Sequence, residues 1–300
     1  MLTLNAPAKI NWFLKVLGLR NDGFHEIISL IQKITLYDVL TFAPSEDLIL
    51  ETDGRIPTEE NLVFKAAMFL KNEYSVEAGA LICLDKNIPV GAGLGGGSSD
   101  AAAALCGLNK LWSLNLSRDD IFKAAEKLGS DVPFFLNGAL SLAQGRGERI
   151  VSRNALKTIN ILLVKPPFDV STAWVYKTFA ASGASVYENV KNPESEQTEC
   201  ELTKKAGKVN NIEHFISKIE KAELGYLAGI ASNDLESVTI KGFPVIAEIK
   251  ERLLDAGAVC SLMSGSGSAV FGVFDSRKKA EVAARTFAGF WTVAVRTIID

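Results

Sequence analysis

The 300-residue sequence predicts an α+β protein organised in two lobes. Residues 1–50 consist almost entirely of apolar and β-branched segments, which indicates strands. After residue 60, amphipathic helical patterns alternate with short apolar runs. We therefore predict an N-terminal lobe over residues 1–157 and a C-terminal lobe over residues 158–300.

The predicted N-terminal elements begin with strands over residues 2–16 and 27–42, separated by the turn Asn21-Asp22-Gly23. Apolar residues at helical spacing follow, with short strand-like runs between them. We predict helices over residues 61–73, 99–112 and 118–128, and strands over residues 80–84 and 139–143.

The predicted C-terminal lobe begins with a strand over residues 159–164. Residues 181–208 are polar and contain few apolar side chains, so we predict a mobile, partly helical insertion there. Beyond it we predict helices over residues 211–222, 244–256 and 276–288, and strands over residues 259–263, 269–275 and 291–299.

Composition narrows the classes of function. The net charge of -3 gives no reason to expect binding to nucleic acid or to an anionic membrane. The N-terminal residues lack the pattern of a signal peptide, and no apolar run reaches the roughly 18 residues of a membrane helix. We therefore predict no nucleic-acid or membrane partner. We also expect a cytoplasmic monomer or homodimer whose partners are small-molecule substrates. The cysteines are scattered, which predicts buried, reduced thiols at Cys83, Cys106, Cys200 and Cys260.

A glycine-rich stretch organises the N-terminal half. Five of the seven positions from Gly91 to Gly97 are glycine, and an alanine-rich helix follows, with Ser98, Ser99 or Asp100 available as its cap. A glycine loop that opens onto a helix N-terminus suits phosphate, although a plain surface turn is the simpler alternative. The predicted phosphate-binding residues are Pro89, Val90, Gly91, Ala92, Gly93, Leu94, Gly95, Gly96, Gly97, Ser98 and Ser99.

Three familiar nucleotide-binding classes do not fit this loop. No lysine follows the glycines, which argues against a P-loop NTPase. The spacing of Gly91, Gly93 and Gly96 matches a dinucleotide fingerprint, but the acidic residues Asp119 and Asp120 begin another helix instead of ending a second strand. The tripeptides His-Arg-Asp and Asp-Phe-Gly of protein kinases do not occur in the sequence.

The run Pro-Val-Gly-Ala-Gly-Leu-Gly-Gly-Gly-Ser-Ser-Asp-Ala-Ala resembles the ATP loop of the GHMP kinases, which phosphorylate small alcohols. The resemblance implies an N-terminal lobe like domain 2 of ribosomal protein S5 and a ferredoxin-like C-terminal lobe. It also implies ATP as phosphoryl donor together with Mg²⁺, whose charge offsets that of the phosphates. The magnesium ligands are not evident from the sequence, and Ser99 is one loop hydroxyl available for this role.

Two further segments resemble the parts of GHMP kinases that carry out catalysis. In Pro7-Ala8-Lys9-Ile10-Asn11, alternation places Lys9 and Asn11 on one face of a strand, where the alternative is a solvent-facing pair. In Gly129-Ser130-Asp131-Val132-Pro133, Asp131 is either a helix cap or the group that accepts the proton of the substrate hydroxyl. The resemblance implies that Lys9 and Asp131 are catalytic and that Asn11 contacts substrate.

The glycine turn Ser264-Gly265-Ser266-Gly267 resembles a third GHMP motif, and is otherwise a simple connection between two strands. The resemblance implies that this turn packs against the phosphate loop and that Gly265 and Gly267 contact the substrate.

Three remaining segments resemble the branch of GHMP kinases that acts on a cytidyl-linked sugar alcohol in the non-mevalonate isoprenoid pathway. They are residues 19–26, residues 170–176 and Asn233-Asp234-Leu235-Glu236. A cytosine ring calls for aromatic stacking and for hydrogen bonds to its edge. The resemblance therefore assigns stacking to Phe24 and Tyr176, the edge contact to His25, and a further substrate contact to Thr172.

Two alternatives remain at this point. The chain is otherwise a homoserine- or mevalonate-type GHMP kinase, or a sensor that binds nucleotide without catalysis. The cytosine-binding residues argue against the first alternative. The presence of both Lys9 and Asp131 argues against the second.

Overall fold

The computed structural model describes residues 1–183, 212–229 and 231–300, which form two compact units. The first unit comprises residues 1–9, 35–90 and 95–137, and the second comprises residues 10–34, 91–94 and 138–300. From residue 184 onward, the predicted insertion lies outside the described residues. The predicted lobe boundary between residues 157 and 158 stays a prediction.

The α-helices of the described chain are α1 (Leu62–Glu73), α2 (Gly96–Leu111), α3 (Arg118–Leu128), α4 (Val132–Phe135), α5 (Thr172–Ala181), α6 (Ile212–Glu220), α7 (Glu236–Gly242), α8 (Val245–Asp255) and α9 (Arg277–Ala284). Six of these helices of the described chain lie close to predicted positions, whereas α4, α5 and α7 were not predicted.

The strands likewise include every one predicted within the described ranges. They are β1 (Leu2–Leu19), β2 (His25–Ser45), β3 (Leu48–Glu51), β4 (Gly79–Asp85), β5 (Leu140–Gly145), β6 (Arg149–Arg153), β7 (Asn160–Lys165), β8 (Ser232–Asn233), β9 (Cys260–Met263), β10 (Val270–Phe274) and β11 (Trp291–Arg296).

In the first unit, helices cover one face of a short sheet. Strand β4 pairs antiparallel with residues 39–45 of β2, and β3 pairs parallel with β4. Helices α1 and α2 pack against each other, and Gly107 of α2 lies so close to Phe42 that a Cβ atom would come within 2.5 Å of the ring. This packing fixes the direction of α2, whose N-terminus follows the glycine loop.

In the second unit, β7, β9, β10 and β11 form an antiparallel sheet of order β11-β7-β10-β9. Helices α5 to α8 precede β9 in the chain, and α9 lies between β10 and β11, which gives the β-α-β-β-α-β order of ferredoxin-like folds. The core of this unit joins the sheet to the helices through residues such as Leu162, Phe274 and Leu253, all of them buried. The predicted ferredoxin-like arrangement is therefore present.

Strands β1 and β2 are neighbours in one sheet. Within the second unit, residues 27–32 of β2 pair antiparallel with β5, which in turn pairs with β6. Phe13 and Leu14 of β1 pair parallel with the short strand β8. This places β8 beside the part of β1 that follows Asn11.

Of the three cysteines in the described ranges, one is fully buried. Cys260 is buried as predicted, and its burial raises the pKa of the thiol to about 12. Cys83 and Cys106 are partly exposed, so the prediction of burial is wrong for them, and Cys200 lies outside the described residues. No helix in the described part of the chain is long and apolar enough to cross a membrane.

Candidate active site

The glycine loop ends at α2, which begins at Gly96 rather than at residue 99. Gly95 is the N-cap residue with φ 72°, and within the described chain no side chain caps this helix. The predicted capping by Ser98, Ser99 or Asp100 is therefore wrong, because these residues lie inside the helix. An uncapped, glycine-lined helix start leaves backbone N–H groups for an anion.

Close packing explains why Gly93 and Gly95 must be glycine. Gly93 has φ 72°, and a Cβ atom added there would lie 2.0 Å from the carbonyl oxygen of Ser264. A Cβ atom on Gly95 would lie 2.9 Å from the ring of Phe135 and 3.0 Å from Cγ of Lys9. Gly95 thus lies close to Lys9 within the first unit, and Gly93 lies close to the 264–267 turn within the second.

Hydrogen bonds hold loop residues 91–94 against the rest of the second unit. The hydroxyl of Ser264 donates to the carbonyl of Gly93 at 2.9 Å. The Ala269 amide donates to the carbonyl of Ala92 at 3.1 Å, and the Ser268 amide donates to that of Gly91 at 3.3 Å. The predicted packing of the glycine turn against the phosphate loop is therefore present.

Lys9 and Asp131 interact electrostatically within the first unit. Lys9 is only 4% exposed, and its burial lowers the pKa of the ammonium, while the charge of Asp131 opposes this change. Asp131 occupies the N-cap position of α4, but among the described residues its carboxylate receives no capping hydrogen bond. The carboxylate is thus placed near a buried ammonium instead of serving the helix.

Asn11 follows Lys9 on β1 and is 3% exposed. Its Nδ2 donates to the hydroxyl of Ser29 at 2.8 Å, and that hydroxyl donates to the carbonyl of Phe13 at 2.6 Å. Ile10 and Trp12 on the other face are also buried. The alternative of a solvent-facing Lys9 and Asn11 is therefore wrong.

A buried charge cluster supports both ends of the loop from the first unit, and sequence reasoning missed it. The ammonium of Lys86 lies 2.5 Å from a carboxylate oxygen of Asp38 and 2.7 Å from one of Asp100 in α2. The other oxygen of Asp38 accepts hydrogen bonds from the amides of Asn87 and Ile88, just before the loop. Burial raises the pKa of Asp100 to about 7, with Lys86 opposing and Asp38 adding to the rise. Lys86 and Asp100 flank the loop in sequence, but Asp38 carries no local signal.

The residues predicted to bind cytosine lie within the second unit. The rings of His25 and Tyr176 lie 5.1 Å apart at 33°, and burial lowers the pKa of His25. Among the described residues, Nε2 of His25 is buried and has no hydrogen-bond partner. Such a neutral imidazole is ready to form a hydrogen bond to a ligand. Phe24 is 50% exposed, and its ring lies 4.9 Å from the guanidinium of Arg146, a neighbour that the sequence did not predict.

A second cluster missed by sequence reasoning holds the turn that carries Phe24 and His25. Glu26 is 1% exposed and accepts hydrogen bonds from Arg20 and, at 2.9 Å, from Arg149. Arg20 also pairs with Asp22, whose carboxylate accepts the Phe24 amide at 3.1 Å. These contacts fix the backbone on both sides of Phe24.

Thr172 begins α5, behind the N-cap Ser171. Its Oγ1 lies 2.8 Å from the hydroxyl of Ser266 in the glycine turn, so the structure brings Thr172 together with Gly265 and Gly267. Contact of these three residues with substrate stays a prediction.

Ser99 is the residue of the loop best placed to act as a metal ligand. Ser99 is 1% exposed, and among the described residues its hydroxyl has no hydrogen-bond partner. The described ranges contain no group of three or more His, Cys, Asp or Glu residues able to hold a metal ion. Within the described chain, the unpartnered hydroxyl oxygen of Ser99 fits the preference of Mg²⁺ for oxygen ligands.

Two family models match the chain: the GHMP kinases N terminal domain over residues 61–139 and the GHMP kinases C terminal model over residues 215–292. The first contains the glycine loop and Asp131, and the second contains Asn233 and the glycine turn.

Similar proteins cover the full length. The chain is 41% identical over 303 residues to a 4-diphosphocytidyl-2-C-methyl-D-erythritol kinase of Thermodesulfovibrio yellowstonii, covering 100% of this chain and 99% of the relative. It is 43% identical over 290 residues to the kinase of the same name from Pelotomaculum thermopropionicum, covering 95% and 93%.

Solved structures of similar proteins have the same fold as this chain. A crystal structure of 4-(cytidine 5'-diphospho)-2C-methyl-D-erythritol kinase is 32% identical, with a TM-score of 0.79 and coverage of 99% of both chains. A homoserine kinase from Cytophaga hutchinsonii has a TM-score of 0.69 at 17% identity, covering 99% of this chain and 94% of that one, which shows a shared fold alone. The predicted mixed α and β fold is thereby confirmed. By its full-length relatives, its two family models and its fold, this chain belongs to the GHMP kinases, within the family of 4-diphosphocytidyl-2-C-methyl-D-erythritol kinases.

Proposed function

We propose that this chain transfers the γ-phosphoryl group of ATP to the C2 hydroxyl of 4-diphosphocytidyl-2-C-methyl-D-erythritol, a step of the non-mevalonate route to isoprenoid precursors. The observation that carries the chemistry is the interaction of buried Lys9 with Asp131, beside Gly95 of the glycine loop. Full-length relatives of this family support the choice of substrate.

In this proposal, Asp131 accepts the proton of the C2 hydroxyl as its oxygen bonds to the γ-phosphorus. The bond between that phosphorus and the oxygen bridging to the β-phosphate breaks, and ADP leaves. Lys9 holds the carboxylate in place and offsets negative charge on the transferred group. Its burial strengthens this effect, because little water screens the ammonium.

The loop from Pro89 to Ser99 binds the phosphates of ATP, with N–H groups at the start of α2 directed toward them. Mg²⁺ supplies positive charge to the phosphates, and Ser99 would offer it a hydroxyl oxygen. The buried, unpartnered Oγ of Ser99, noted above for the described residues, supports this assignment.

The cytidyl end of the substrate is assigned to Phe24, His25 and Tyr176. The partly exposed ring of Phe24 offers a stacking surface, and the unsatisfied Nε2 of His25 offers a hydrogen bond to the cytosine edge. Asn11, Thr172, Gly265 and Gly267 complete the proposed substrate contacts.

The alternative substrates, homoserine and mevalonate, have no ring to occupy a site built from His25 and Tyr176. The structural likeness to homoserine and mevalonate kinases, at 17% and 15% identity, concerns the fold alone. A non-catalytic sensor would not need a buried lysine next to Asp131.

The predictions of a cytoplasmic location and of a monomer or homodimer, with no nucleic-acid or membrane partner, stay predictions.

Replacing the catalytic pair tests the proposed chemistry. Asp131→Asn and Lys9→Ala should each lower turnover by about 10²–10⁴-fold, the usual contribution of a positioned proton-transfer group. The Michaelis constants should change less, because the pair acts mainly on the reacting atoms. A steady-state ADP-release assay measures both quantities. If the turnover of Asp131→Asn stayed within a few-fold of wild type, Asp131 would only occupy the start of α4 and would not be catalytic.

A further inference from the structure

The Asn233-Asp234-Leu235-Glu236 segment has no role in the proposed chemistry, yet its first side chain is buried and fully engaged. Asn233 is 6% exposed. Its Nδ2 donates to the carbonyl of Met263 at 2.9 Å and to that of Gly265 at 2.7 Å. Its Oδ1 accepts the amide of Leu235 at 3.0 Å. One side chain thus ties the start of α7 to the glycine turn.

The turn that Asn233 holds is the one that engages the phosphate loop. Ser264, between the two carbonyls bound by Asn233, donates its hydroxyl to the carbonyl of Gly93 at 2.9 Å. The approach is so close that a Cβ atom on Gly93 would meet the carbonyl oxygen of Ser264 at 2.0 Å. A small displacement of the turn must therefore displace the loop, since dense packing transmits strain.

Asp234 and Glu236, the other polar residues of the segment, make different hydrogen bonds within the second unit. Asp234 accepts the Val16 amide at 3.0 Å and pairs with the ammonium of Lys15 at 2.7 Å. Glu236 accepts the Met263 amide at 2.7 Å and pairs with Lys250. Asn233 is thus the member of the segment that binds both carbonyls flanking Ser264.

We propose that Asn233 is a positioning residue of the ATP site, which holds the 263–267 turn so that Ser264 and the adjoining residues 268–269 fix the carbonyls of Gly91, Ala92 and Gly93. The role of the loop in binding ATP rests on the proposed function. Asparagine suits this position because it supplies two N–H donors and one acceptor at the end of a short side chain. Aspartate would direct a carboxylate at two carbonyl oxygens.

The test compares Asn233→Ala and Ser264→Ala with Asp234→Asn as the matched control. Binding of a non-hydrolysable ATP analogue by titration calorimetry, the Michaelis constants of both substrates and the thermal unfolding midpoint are measured for each. Asn233→Ala and Ser264→Ala should each weaken nucleotide binding by roughly 10–100-fold, or about 1.4–2.7 kcal/mol. The Michaelis constant of the alcohol should change by less than about 3-fold, a difference below 0.7 kcal/mol. Asp234→Asn should leave nucleotide affinity within the same limit even where it lowers the unfolding midpoint.

A double mutant separates positioning from general destabilisation. Because both residues act through the same turn, the effects of Asn233→Ala and Ser264→Ala on nucleotide affinity should be less than additive. Loss of thermal stability with unchanged nucleotide affinity, or strictly additive effects, would overturn the proposal. If Asn233→Ala does not fold, an unchanged nucleotide affinity in Ser264→Ala would overturn the proposal instead. Calorimetry measures nucleotide binding without turnover. If the wild-type protein did not catalyse the proposed reaction, the kinetic assay alone would show it, and the calorimetric test of Asn233 would still apply.

Discussion

Tyr176 is the residue to which we assign substrate selection; its ring lies against His25 and its side chain packs on the core of the second unit. The cytidyl group is remote from the reacting hydroxyl, so its binding energy serves to place that hydroxyl. If base stacking contributes roughly 1–3 kcal/mol, Tyr176→Ala should raise the Michaelis constant of the cytidyl substrate roughly 5–150-fold. The Michaelis constant of ATP should hardly change.

Tyr176→Phe is the matched control, since it keeps the ring and removes only the hydroxyl. Steady-state kinetics with each substrate varied in turn gives both constants. His25→Ala should act in the same direction through lost hydrogen bonds. Weakened ATP binding with intact cytidyl affinity in Tyr176→Ala would place this ring in the adenine site and contradict the assignment.

Lys9 should titrate below its ordinary value of 10.5, because burial lowers the pKa of its ammonium more than Asp131 raises it. Catalysis that needs the charged form is therefore present below this lowered pKa and is lost as pH rises through it. Asp131→Asn should shift the titration further down, because it removes the opposing charge. Nitrogen-detected NMR of the lysine side chains, assigned with Lys9→Arg, measures both values. A pKa of 10.5 or above would contradict the described burial of Lys9.

The start of α2 depends on the cluster of Asp38, Lys86 and Asp100. Lys86→Met would leave two buried carboxylates without their counter-charge and should destabilise the protein by about 3–5 kcal/mol. Adding Asp100→Asn should recover part of this loss by removing one of the two uncompensated charges. Urea unfolding measures the free energies. The matched surface control is Lys279→Met, which breaks an exposed pair with Asp275 and should cost less than about 1 kcal/mol. Equal costs for the two lysine variants would contradict a supporting role for the cluster.

The elements also show where sequence reasoning succeeds. Helical periodicity placed α1 and α3 closely, because Asn61 and Ser117 both cap their helices as their residue types suggest. The start of α2 was placed three residues late, because a cap residue was expected where Gly95 in a left-handed conformation begins the helix. Capping rules do not anticipate a helix start kept open toward a ligand.

Across the whole molecule, motifs identified Lys9, Asp131 and the glycine loop, because their local residue patterns are long and specific. The residues that hold these motifs in place were not predicted. Asp38 lies 48 positions from Lys86, and Asn233 lies 32 positions from Gly265, so no local periodicity connects them. Partners that meet only through tertiary packing leave no mark on short-range spacing.

The measurement that tests the central claim most directly is ADP release by the wild-type protein, with ATP, Mg²⁺ and each candidate alcohol supplied in turn. We predict turnover with 4-diphosphocytidyl-2-C-methyl-D-erythritol and only background ADP release with homoserine or mevalonate. Asp131→Asn, assayed alongside, controls for contaminating kinases because it should lose that turnover. Turnover of homoserine or mevalonate without turnover of the cytidyl substrate would contradict the account, as would ATP binding without ADP release for every alcohol.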